Sequence, residues 1–389
     1  PMTPRLRRGF VPASTLVASA TFFFWFSLYV YVPILPVHTE SLGASAAMVG
    51  TVVSAYAVAQ LVLRIPVGIW ADSLGRRKPF VVAGLLFAAL GALGLGLSPS
   101  PWFLFASRAV TGVAAVAWVP TMVLYVSYHS ARRVPRAMGV IMGVNGSAQL
   151  TAALVGGLIA RAWNAEATFF VAAGVSLVAI LVMTPVREPP ATESRRRAPR
   201  QFLQVAVTPL LLIASGIAIL SHFVRFSTSF AFTPLYAADI GASDAALGYI
   251  VAAMFAFSTL GSLAYAGIGE RLGYRHTIAF GSVTLAGAVV ATPFIHDVPI
   301  LVVCQAASGF GGGLQAAALA ALSLRGVDRS EQATAMGVFQ ALYAVGMLAG
   351  PAISGFISDG LGINSVFYLS AGVALTSGVL AYVPLVPRR

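Results

Sequence analysis

The sequence predicts an all-α membrane protein: twelve transmembrane helices in two parallel, pseudo-symmetric six-helix bundles, with both termini cytoplasmic. Three observations predict it. Only 9% of the residues are charged and 58% are hydrophobic, where a water-facing protein carries about a quarter charged. The mean hydropathy is +0.86, and the apolar residues come in stretches long enough to cross a bilayer core, which takes about 20 residues of helix. Finally, the chain is written twice at one fixed offset.

Backbone groups in lipid must be paired internally, so a spanning segment is a helix or belongs to a closed barrel. Barrel strands alternate apolar and polar residues, whereas "VVAGLLFAALGALGLGL" (Val81 to Leu97) is apolar on every face and reads as helix. The spans fall at roughly 12–36, 46–70, 79–97, 101–125, 137–161 and 166–185, then at 208–236, 245–267, 276–295, 299–322, 333–357 and 363–384. Arg5, Arg7 and Arg8 before an apolar run resemble the start of a cleaved leader. That run is long and aromatic and is followed by eleven more, so it reads as the first span.

The net charge of +12 suggests nucleic acid, but its distribution is explained by topology. Arg5, Arg7 and Arg8, then Arg76, Arg77 and Lys78, then Arg132, Arg133 and Arg136 fall on one side of the predicted spans. Arg187, Arg195, Arg196, Arg197 and Arg200 follow on that side, as do Arg271 and Arg275, Arg325 and Arg329, and Arg388 and Arg389. Arg161 stands in an opposite-side loop, so the positive-inside rule places the termini and the middle loop in the cytoplasm. Nucleic acid is not an expected partner; the bilayer is. Cys304 is the one cysteine, which excludes an internal disulfide and a cysteine-based metal cluster. There is no phosphate-cradling Walker loop and no histidine cluster with ligand spacing, so no metal or other cofactor is expected.

A shift of 198 residues brings "LGASAAMVG" (Leu42 to Gly50) onto "IGASDAALG" (Ile240 to Gly248). The same shift carries Pro36 to Pro234, Asp72 to Glu270, Gly75 to Gly273, Arg77 to Arg275, Gly139 to Gly337 and Gly157 to Gly355. The chain therefore divides into a six-helix bundle at 1–185, a linker at 186–207 and a second bundle at 208–389. The linker mixes prolines with same-sign charge and has no apolar face. Two parallel halves joined in this way place a central site at their interface and expose it to each side by rocking.

Scarce charges gather in "GIWADSLGRRKPF" (Gly68 to Phe80), after the second span. Gly68, Asp72, Gly75, Arg76 and Arg77 resemble the G-x-x-x-D-x-x-G-R-R signature of the major facilitator superfamily, and the resemblance spans the chain. The second copy, "AGIGERLGYRH", keeps Glu270, Gly273 and Arg275, with Ala266 for the first glycine and Tyr274 for an arginine. Arg108 and Gly112 resemble the family's R-x-x-x-G element. A carboxylate at a helix C-terminus is disfavoured by the dipole and wants a cation or a neighbouring helix N-terminus. The resemblance implies that Asp72 finds one across the half interface, as a latch that shuts the cytoplasmic side. Lys78 reads as a topology anchor. The overall look is similar to the drug and metabolite efflux branch, yet "AALVGG" (Ala152 to Gly157) lacks the proline of that branch's antiporters. Gly139, Gly143 and Gly146, and Gly346 with Gly350, read as patches for close helix approach.

All acidic residues are placed outside the spans: Glu40, Glu166, Asp239, Asp244, Asp297 and Asp359 externally, and Asp72, Glu188, Glu193, Glu270, Asp328 and Glu331 on the cytoplasmic side. The embedded ionisable groups are Arg64, Arg108, His222 and Arg225. His222 and Arg225 are three apart on one helix, hence on one face, and an embedded charge is a functional candidate. The pair is expected to recognise an anion: Arg225 offers a planar fork of donors to a carboxylate, phosphate or sulfonate, and a proton on His222 favours the same anion. Arg64, a turn before Gly68, is expected to snorkel; Arg108 is divided between a scaffold role and handling of protons or substrate. Asn145, Gln149, Gln340 and Tyr343, with Gln305 and Gln315, are candidates to line the cavity or to bond between helices, and from helix 1 Tyr29 and Tyr31 are expected to reach it.

The expected function is secondary transport of a small anionic or amphipathic organic molecule, coupled to protons, as export or as uptake with protons, by a monomer of a bacterial-type inner or plasma membrane. Facilitated diffusion is a further alternative. No nucleophile, base or metal set supports a lipid-modifying enzyme, and a transport-inactive sensor would carry an output domain.

Overall fold

The computed structural model describes residues 11–189, 204–328 and 331–382, and among these every regular element is helical. The first group is α1 (Ala13–Tyr29), α2 (Leu35–Ser41), α3 (Ala46–Leu74), α4 (Lys78–Gly96), α5 (Pro101–Val116), α6 (Trp118–Ser127), α7 (Val134–Ala162) and α8 (Ala165–Met183). The second is α9 (Pro209–Ser227), α10 (Thr233–Asp239), α11 (Asp244–Ala291), α12 (Val298–Ser323), α13 (Gln332–Leu361) and α14 (Asn364–Leu380). Among the described residues, ten segments are long and apolar enough to cross a membrane, and two apolar helices, Ala13–Tyr29 and Asn364–Leu380, are shorter.

Local chemistry sets the helix starts. Proline stands in the first turn of α4, α5, α7, α9, α10 and α12, where its missing N–H costs nothing. Side chains of Asn164, Ser243 and Asp297 cap α8, α11 and α12 by accepting from Ala167, Ala246 and Ile300. The repeat is visible in the breaks. α1 gives way to a turn before α2, and at the corresponding place α9 widens into a π-helical turn, Thr228–Phe232, before α10. Gly75 and Gly273, paired by the repeat, both have positive φ (60° and 72°), a backbone that a side chain disfavours. Gly273, with φ 72° and ψ 156°, breaks α11 into two limbs.

Helices α1 to α8 pack among themselves, with α4 on α5 and α8, and α9 to α14 do likewise, with α12 along both limbs of α11. Two seams join the groups, α3 along α13 and α7 along α11. At the end away from the arginine clusters the seams are tight. A Cβ on Gly50 would stand 2.0 Å from Pro351 O, and one on Gly157 would stand 2.7 Å from Asp244 O. Toward the arginine-rich end, Gly68, Gly139, Gly143 and Gly337 have nothing within 4 Å of that point. The core divides accordingly: one cluster takes in both groups, and a second, around Leu211, Leu319 and Phe339, belongs to the second group alone. The molecule is closed at one end and parted at the other. Gly346 and Gly350 make the close approach expected of them, against Ile219 and Phe223 of α9, whereas Gly139 and Gly143 face open space in this state.

Candidate functional site

A cavity of about 340 Å³ lies where the groups part. Its wall comes mostly from the second group, including Ser221, His222 and Arg225 of α9 and Gln340 and Tyr343 of α13, while Trp118 of α6 and Met142 of α7 face it from the first. None of the described residues lining it is acidic.

Helical spacing places His222 and Arg225 on this wall together, as expected from the sequence. The Arg225 guanidinium lies 5.7 Å from the ring centres of both Phe230 and Phe255, and its Nη2 approaches Met254 Sδ at 3.4 Å. Its buried Nε has no hydrogen-bond partner, and among the described residues no carboxylate lies within ion-pair distance. A cation held by ring faces and a thioether keeps most of its donors uncommitted. His222 stacks flat on Tyr343, with centroids 4.0 Å apart and planes 3° from parallel. Its Nδ1 lies 2.9 Å from Ala218 O. A carbonyl only accepts, so Nδ1 carries a hydrogen and Nε2 is left to exchange a proton or accept a bond.

Gln340 also lines the cavity, and its buried Oε1 has no partner. Tyr29 is not among the lining residues; it packs on Phe230 and Phe255, the rings beneath Arg225. Tyr31 is fully buried in the first group, where its hydroxyl accepts from Arg108 at 3.1 Å. Arg108 also lies 4.4 Å from the centre of the Tyr56 ring, away from the cavity lining. Gln149 donates to Asn145 at 2.5 Å, and neither lines the cavity. Gln315 lines it but is committed, accepting from Ser221 and donating to Ser282 and Ser377. Gln305 bonds Ser229 and Thr233. For both, the interhelical role wins.

Arg64 departs from the sequence reading. Only 4% exposed, it turns inward, donating to Gln60 and, across the seam, to Gln340 O at 3.4 Å. Snorkelling is not needed where a neighbouring helix offers a carbonyl. Lys78 also does more than anchor: its Nζ donates to Thr184 O and Val186 O at 2.8 and 2.7 Å, capping the end of α8. Glu188 answers by accepting from the backbone N–H groups of Arg77 and Lys78 at the start of α4. Of the predicted latch, Arg76 is exposed, Gly68 stands open, and Arg275 donates to Tyr274. The side chains of Asp72 and Glu270, the terminal arginines and most of the linker lie outside the described residues. Sequence reasoning missed Trp118, Met142 and Met254, which are apolar residues in apolar helices with no signal to set them apart.

An interior cavity between two groups of helices long and apolar enough to cross a membrane is the arrangement of a transporter. The model of the Major Facilitator Superfamily matches residues 17–217 and again 214–389, and the chain belongs to that family. It is an integral, multi-pass plasma-membrane protein. It is 25% identical to Multidrug resistance protein 1 of Bacillus subtilis (strain 168) over 377 residues, 93% of this chain and 95% of that one. Among solved structures, a bacterial homolog of the human lysosomal transporter Spinster, inward-facing and occupied, superposes with a TM-score of 0.80 at 13% identity, covering 96% and 97% of the two chains. The human organic anion transporter MFSD10 (TETRAN) does so with a TM-score of 0.70 at 17% identity, covering 95% and 98%.

Proposed function

We propose that this chain is a twelve-span secondary transporter that moves a small anionic or amphipathic organic molecule by alternating access, coupled to protons and in the direction of export. The arginine-rich end faces the cytoplasm under the positive-inside rule, so the parted state is the inward-facing one. One observation carries the choice of cargo: Arg225 stands in the cavity wall with donors to spare and, among the described residues, with no acidic residue beside it. A carboxylate or sulfonate arriving there would supply the missing partner. His222, one turn away, is the proton-exchanging group, and Gln340 offers an acceptor for a neutral donor on the cargo. Export is supported by the name of the multidrug resistance relative.

The site's own electrostatics favour a second reading for direction. A proton on His222 and an anion at Arg225 strengthen each other's binding, which is the condition for moving both the same way, as uptake with protons. Proteoliposome flux of salicylate, salicylamide and tetraphenylphosphonium under an imposed pH gradient tests both. Salicylate is expected to move, with Arg225→Ala lowering its flux at least about tenfold, as loss of a charged hydrogen bond does. Transport of the phosphonium alone would overturn the cargo. The sign of the gradient that drives salicylate decides direction, and flux indifferent to pH and potential would leave facilitated diffusion.

A further inference from the structure

The closed end of the α3/α13 seam holds a contact that the cavity does not explain. Asp359, in the last turn of α13, accepts from the backbone N–H groups of Ala46 at 2.9 Å and Ala47 at 3.1 Å, one to each carboxylate oxygen. Ala46 and Ala47 open α3, whose first-turn N–H groups have no partner within the helix. Ser45 serves Met48, so Asp359 takes the pair that α3 does not satisfy itself. The carboxylate leaves the negative end of its own helix dipole for the positive end of another.

The sequence around Asp359 repeats the charged motif of the other end. "GFISDGLG" (Gly355 to Gly362) has the spacing of "GIWADSLG" (Gly68 to Gly75): glycine, then aspartate four residues on, then leucine and glycine. The two copies stand on the two helices of one seam, at opposite ends of the molecule. Both terminal glycines have positive φ, 60° at Gly75 and 81° at Gly362, where the chain turns away from its helix. The first glycines differ. A Cβ on Gly355 would stand 2.5 Å from Ala46 O, so this copy is engaged, while Gly68 meets nothing within 4 Å.

We propose that Asp359 is a gating residue: its carboxylate on the N-terminus of α3 locks the end opposite the arginines, with Gly355 admitting the approach, and lets go when that end opens. The engaged copy shows what the motif does when its end is shut. The inference goes beyond the cargo and uses only alternation between two states. Because α3 carries the second copy at its far end, one helix pair holds a lock for each side.

The test is the distance across the closed end, measured by double electron–electron resonance between spin labels at Pro99→Cys and His296→Cys, on the full chain in lipid nanodiscs with Cys304→Ser. All three are sites where the protein is exposed or, for Cys304, partly so. Asp359→Ala is expected to raise the population with the longer distance about three- to tenfold, the effect of removing a charge from a helix N-terminus together with its hydrogen bonds. Asp359→Asn should behave much like Ala, and Asp359→Glu should recover most of the short-distance population. Unchanged distances in Asp359→Ala, or a Glu variant indistinguishable from Ala, overturn the lock. Salicylate flux on the same proteins separates the two readings: unaltered distances with normal flux remove the lock and leave the transporter, while shifted distances with no flux even in the unsubstituted protein remove the cargo and leave the lock.

Discussion

The two seams that join the halves occupy equivalent places in the repeat and are built differently. Among the described residues, polar contacts cross α3/α13 from Asp359 to the start of α3, from Ser54 to Leu348 O at 2.7 Å, and from Arg64 to Gln340 O. Along α7/α11 the repeat substitutes Ala252 for Ser54, Ser262 for Arg64 and Met142 for Gln340. That seam is an apposition of glycines, Gly157 against Gly248, with Gly146 facing Thr259. In place of Asp359 it has Arg161, and the N-terminus of α11 carries its own Asp244 and its own Ser243 cap. One seam is held by hydrogen bonds, and the other by close surface contact. The difference puts the polar contacts between the groups on α3/α13 and close packing on both.

The largest effect should come from wedging either seam. Leucine at Gly50 or Gly157 would drive side chains into main-chain oxygens only 2.0 and 2.7 Å from the Cβ position, and overpacking of this kind costs about 1–3 kcal/mol or more. Salicylate flux should fall about tenfold or further in both variants; normal flux in Gly157→Leu would show that α7/α11 need not close. A smaller effect separates the seams. Ser54→Ala removes a hydroxyl donor from Leu348 O and should weaken the closed state by about 0.5–1.5 kcal/mol, read as a lengthened distance across the closed end. Met142→Gln, at the place in the other seam that the repeat pairs with Gln340, should stay within about 0.5 kcal/mol. If the two changes match, the polar contacts do not distinguish the seams. The smallest effect belongs to the parted end: Gly139→Ala meets nothing within 4 Å and should raise helix stability by about 0.5–1 kcal/mol, seen as a slightly higher thermal unfolding temperature. A marked loss of transport with that gain in stability would place Gly139 in the contact of the oppositely closed state.

Much of the architecture could be read from the chain. Helices, their proline-marked starts and the repeat follow from residue type and spacing, which is why Gly75 and Gly273 share a backbone conformation and the breaks after α1 and α9 correspond. His222 and Arg225 were legible as a pair because two ionisable groups at helical spacing stand out in an apolar span. Arg64 was misread because one turn separates it from the motif, and its direction depends on whether a partner helix lies beside it. Gln149 donates to Asn145 at 2.5 Å, a local pairing within α7 and away from the cavity lining.

The sequence by itself determined the class of solvent, the helices, their duplication and the imbalance of embedded charge, since each follows from composition or from spacing along one chain. Which end is closed, which seam carries the polar contacts and which residues face the cavity were decided only by the tertiary structure. The reason is physical: in lipid the outward face of a helix is as apolar as its packed face, so periodicity no longer marks the side that meets a neighbour. Asp359 shows it plainly, a loop-edge carboxylate by sequence whose partners are backbone N–H groups at the far side of the chain.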